Sequence, residues 1–66
     1  MKFYWIPEAL PSHPGMYAPS DYVEIKNEMT NNIFMAMKFE SKEKCHQWCL
    51  DHIKFVPMQH GLYEEV

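Results

Sequence analysis

Four side chains in the C-terminal third could bind a metal or act as nucleophile and base: Cys45, Cys49, His52 and His60, with His13 and His46 in reserve. Zinc takes four nitrogen or sulfur ligands in a tetrahedron, and a structural zinc would stabilise so small a domain. The spacing argues against it, because structural sites set a close cysteine pair in a knuckle against a second, distant pair. Here the cysteines stand four apart in a run with helical periodicity, with Trp48 between them. Buried free cysteine behaves as a small hydrophobe, so both thiols are expected in the core, with no metal ligand and no cofactor. A zinc-stabilised domain using Cys45, Cys49 and His60 is the alternative. An i,i+4 pair on a helix meets disulfide geometry poorly, so the thiols are expected to be reduced. Cys45, near a helix N-terminus, would have a slightly lowered pKa and could pair with a histidine as a nucleophile. A chain this short leaves little room for a substrate cleft. No catalytic residue and no enzymatic activity are expected, and Ser12-His13 reads as solvated loop.

The elements that would position these residues are punctuated by proline. Residues 2–6 (KFYWI) are aromatic and β-branched and predict a strand stopped by Pro7. Residues 7–20 hold four of the five prolines and predict a stiff loop, pinned by Met16 and Tyr17. Residues 21–26 alternate, with Val23 and Ile25 on one face, and predict a second strand. Residues 29–39 read two ways: Thr30 is a cap candidate for a helical turn over 31–35 that runs into a strand over 36–40, and Phe34 to Phe39 equally fit a strand. The clearest element is a helix over about 41–53, with Ser41 as N-cap and Glu43 in the first turn. Cys45, Trp48, Cys49, His52 and Ile53 recur on one face of it. Residues 54–56 predict a last strand ending near Pro57, His60-Gly61 a turn, and LYEEV a tail. The fold class is α+β: a small antiparallel or mixed sheet of three to four short strands, with one main helix packed on one face. The strands before and after the helix are expected to be parallel neighbours. His46 is expected in solvent and His52 in a structural hydrogen bond near the helix C-terminus.

All 66 residues fit a single small domain, and a chain of that length struggles to bury enough apolar surface alone. All six cationic side chains are lysines, the net charge is −3, and no basic cluster exists. Arginine makes the bidentate contacts that dominate duplex reading, so duplex nucleic acid is not an expected partner. Single-strand binding through exposed aromatics is a further alternative. Nine scattered acids among six lysines make a poor nucleic-acid mimic. No apolar run is long enough to cross a membrane, and the N-terminal run is broken by Pro7-Glu8 too early for a secretory leader. The chain reads as complete and cytoplasmic, with no membrane partner.

Ten aromatic rings and six methionines exceed what such a core comfortably encloses. Tyrosine, tryptophan and methionine favour interfaces, and a shared core in a homodimer solves the size problem. The expected contact residues are Trp5, Met16, Tyr17 and Tyr22, on a surface built from the 1–22 segment and the last strand.

The stretch MAMKFESKEKCHQWC, followed by FVPMQHGL, resembles a pattern in small accessory proteins of tailed bacteriophages. The matching residues are Phe39, Ser41, Trp48, Phe55, Val56, Pro57, His60 and Gly61, across about half of the chain. The resemblance implies an accessory protein in a bacterial host cytoplasm that binds and modulates a host or phage protein. It transfers no functional residue, and the 7–20 loop has no counterpart in the pattern.

Overall fold

In the computed structural model, which describes residues 1–63, the aromatic N-terminal run forms strand β1, Lys2–Glu8. It pairs antiparallel with β2, Val56–Leu62, from Lys2 opposite Leu62 to Glu8 opposite Val56. Between them lie one 3-10 turn, Ile33–Met35, and helix α1, Lys42–Leu50. The protein is small α+β and, among the described residues, has one helix and a two-stranded antiparallel sheet; the further strands expected over 21–26 and 36–40 do not form there.

Both strands run through prolines that were expected to stop them. Trp5 exchanges both backbone hydrogen bonds with Phe39 (2.7 and 2.9 Å), so its N–H and C=O point away from β2. Antiparallel partners alternate between bonded and non-bonded pairs. Pro7, two residues on, therefore also faces away, and its carbonyl accepts from the Ala18 N–H (3.1 Å). Pro7 stands opposite Pro57, and neither missing N–H is needed there. β2 also continues past His60-Gly61, expected to be a turn, and ends on buried Leu62. Of the expected tail, residues 64–66 lie outside the described residues.

The missing strands have a common cause. The edge of β1 away from β2 is already occupied by Phe39, Ala18 and Tyr17. Residues 21–26 find no edge and fold into turns, with the Lys26 and Asn27 N–H groups both donating to the Val23 carbonyl. Val23 and Ile25 remain exposed. The 36–40 segment bonds to Ala18 through Met37 and to Trp5 through Phe39. A partner change within two residues leaves isolated bridges instead of a ladder. Phe39 and β2 thus flank β1 on opposite edges, so the segments before and after the helix are not parallel neighbours.

Ser41 caps α1, its Oγ accepting from the Lys44 N–H, and Glu43 sits in the first turn. The helix stops at Leu50, short of the expected 53. His52 closes it: its backbone N–H donates to the Cys49 carbonyl, and its ring Nδ1–H to the Trp48 carbonyl (2.9 Å). These satisfy carbonyls left open at a helix end. The turn delivers Phe55 to the core, only 1% exposed, and leaves Ile53, expected on the buried face, 90% exposed.

Strand alternation then divides the core. On the Trp5 side, Ala9, Ala18, Cys45, Cys49 and Phe55 pack together. On the Ile6 side, Ile6, Ala36 and Leu62 pack with Tyr4, Tyr17 and Ile33. No helix among the described residues is long and apolar enough to cross a membrane.

Beside Phe55 lies a buried cation. The Lys54 Nζ is shielded from water and has no hydrogen-bond partner among the described residues. It rests over the rings of Phe55 (5.2 Å) and Tyr22 (5.8 Å). Attraction to ring faces offsets only part of the cost of stripping water from an ammonium. Lys54→Met keeps the aliphatic stem and removes the charge. It is expected to raise stability to urea by about 1 kcal/mol. No gain would mean that the two rings solvate the ammonium as well as water does.

Candidate functional site

The titratable groups converge at one place, on the Ile6 side of the sheet. Glu8, the last residue of β1, is 8% exposed. Its Oε1 accepts from His60 Nε2 (3.0 Å), and its Oε2 accepts from the Gly15 N–H (3.1 Å). Gly15 has φ +82°, a left-handed turn that glycine adopts without strain and that aims its N–H back at the carboxylate. The Tyr17 ring meets His60 edge-on, centroids 5.4 Å apart. Burial, and then the Glu8 charge, push the Tyr17 hydroxyl above its usual pKa. Both carboxylate oxygens are engaged within the fold. The cluster ties β1, β2 and the proline loop together.

The zinc set does not assemble. Cys45 and Cys49 lie in the Trp5-side core, whereas His60 faces Glu8 across the sheet. The parity of β2 separates them. No group of three or more potential ligands exists among the described residues. Nor is Cys45 activated, contrary to the expectation from its place in the helix. Burial, followed by the neighbouring Cys49, pushes its thiol up to about 12, and burial raises Cys49 as well. Desolvation outweighs the helix dipole here.

The four expected contact residues are all half-buried. Trp5, Met16 and Tyr22 pack against the Trp5-side core. Lys42 Nζ lies over the Trp5 ring (5.3 Å). Tyr22 sets its ring edge-on to Trp48, His52 and Phe55. Tyr17 packs on the opposite side, against the Ile6 core. The large apolar side chains left in solvent are others. Leu50 (56% exposed) and Ile53 (90%) line, with His46, a groove that also includes Cys49, Phe55, Val56 and Pro57. Met1 and Phe3 are exposed beside β2. His46 is in solvent, as expected. The pattern missed Ile53 because it continued the helical period past the point where the chain turns. Nothing local in the sequence marks Glu8 as the partner of a histidine 52 residues away.

No protein family, curated protein or solved structure matches the chain. Its functional reading therefore rests on its own surface and chemistry.

Two outcomes test this geometry. Glu8→Ala leaves the Gly15 amide and the His60 ring without their acceptor, and is expected to cost about 2 kcal/mol. Urea unfolding measures the loss, and amide exchange at Gly15 should accelerate. The thiols give a pH signature. Cys45 titrates near 9.0 unfolded and at about 12 folded. Below that window both states hold the proton. Within it only the unfolded state releases it, so stability falls with rising pH, by at most about 1.4 kcal/mol per unit. Urea unfolding of the reduced protein should show this fall, and Cys45→Ala should show a shallower one.

Proposed function

We propose that the chain is a non-enzymatic binding protein of the phage-accessory kind. It works in a bacterial host cytoplasm as a homodimer that binds and modulates a host or phage protein. The observation that carries the binding reading is the placement of Leu50 and Ile53. The helix ends early, and both side chains stand in solvent on the rim of an apolar groove. A mostly apolar groove rimmed by exposed aliphatics is a surface that a partner can cover. The chemistry of the titratable groups supports the same reading by default. The thiols are buried with raised pKa, and the buried Glu8 carboxylate accepts from the Gly15 N–H and from His60 within the fold.

The experiment is affinity purification with identification by mass spectrometry, comparing the native chain with a Leu50→Ser/Ile53→Ser double variant. Both positions are exposed, so urea unfolding should be nearly unchanged. A protein partner is expected to co-purify with the native chain and to be lost from the variant. Equal recovery of the same partner by both would overturn the groove as its contact.

A further inference from the structure

Among the described residues the outer edge of β2 is unpaired. Trp5 points its backbone groups away from β2, so its opposite residue Gln59 points its own away from β1. Gly61, two residues on, does the same. Among the described residues no hydrogen bond reaches the backbone N–H of Gln59 or Gly61. Folded proteins usually guard such an edge with lysine, a bulge or a cover. Val56–Leu62 (VPMQHGL) contains no lysine, aspartate or glutamate, and its one titratable side chain, His60, is held by Glu8. Proline guards only the start, at Pro57.

The edge is also flanked by apolar atoms. Gly61 has no side chain, and Met1 and Phe3 lie across it. A Cβ there would come within 2.8 Å of Phe3 Cε1 and closer still to the Met1 sulfur. Met58 stands exposed on the other face. An uncharged edge with apolar margins suits another uncharged edge, and the nearest such partner is a second copy.

We infer that two copies pair antiparallel through β2, with the two-fold axis at His60, to make a continuous four-stranded sheet. The inference rests on the homodimeric form of the reading above and specifies how it is built. The hydrogen-bonding groups exclude a register centred on Gln59, and centring on His60 keeps both bonded residues within Val56–Leu62. With the axis at His60, Gln59 of each copy faces Gly61 of the other, and all outward N–H and C=O groups of both residues are satisfied. With the axis at Gln59, Gly61 faces Pro57, which has no N–H to offer, and its carbonyl is left unpaired. The two His60 residues meet as a non-hydrogen-bonded pair, whose Cα atoms lie about 4.5 Å apart. That separation is within the roughly 4.4–6.8 Å span of a disulfide.

The test combines a cysteine pair with exchange on the unaltered chain. Under mild oxidation His60→Cys is expected to form a covalent dimer and Gln59→Cys is not. Cys45 and Cys49 are buried and do not compete. In the native chain, the Gln59 and Gly61 amides should gain exchange protection as concentration rises. The His60 amide, on a residue paired with Tyr4 inside each copy, serves as the internal reference. This exchange result stands even where His60→Cys folds poorly. If light scattering finds a dimer but Gln59 and Gly61 stay unprotected, the edge pairing is overturned and the homodimer survives in another form. Cross-linking at Gln59→Cys alone would overturn the register. A native chain that stays monomeric, with no protection at any concentration, would overturn both pairing and homodimer. The groove would still be judged by its own partner.

Discussion

One seven-residue strand holds this protein together, and both of its edges are in use. β1 gives one edge to β2 along its whole length and the other to Phe39, Ala18 and Tyr17. A chain of 66 residues has few ways to satisfy its backbone and bury its rings at once. Passing every segment along a single central strand is the solution here. It explains why the intervening segments bond in isolated rungs. Each touches β1 or a neighbour for one or two residues and then leaves, because no length of edge remains to be shared. It also explains the two small cores. The alternation of β1 splits its side chains between a helix-covered face and one covered by Tyr17, Ile33 and Ala36.

The parts of this fold that were legible in the sequence are those decided within a few residues. Ser41, Glu43 and the Cys45-Trp48-Cys49 spacing mark the start and the inner face of α1, and the cap is where they place it. The KFYWI run marks β1. What could not be read was decided by competition over distance. Val23 and Ile25 alternate as a strand does, but alternation is only a request for an edge, and the edge had gone to Phe39 and Tyr17. Pro7 and Pro57 looked like stops because a proline lacks a donor. They stand where no donor is wanted, which depends on a pairing across fifty residues.

The candidate site followed the same division. The bland role of the cysteines was visible from their company, and burial makes their thiols less acidic, against the small opposite pull of the helix end. The expected contact residues Trp5, Met16, Tyr17 and Tyr22 are ring-rich but serve the two cores as half-buried walls. Aliphatic side chains at the foot of α1 stand out instead, because the helix gave up a turn to bring Phe55 inside. The Glu8–His60 contact is the least legible feature of all, since a carboxylate and an imidazole 52 residues apart carry no shared pattern.

The proline of β2 that faces Pro7 also acts on folding errors. Phe39 fixes which way β1 presents its backbone, so a shift of one residue in the pairing must be absorbed by turning β2 over. That would swing the nitrogen of Pro57 towards β1, where the ladder calls for a donor it lacks. It would also carry Leu62 and His60 to the wrong side of the sheet. Pro57, which reads locally as a strand breaker, thereby serves as a proofreading mark. It leaves the native alignment untouched and penalises its nearest competitor.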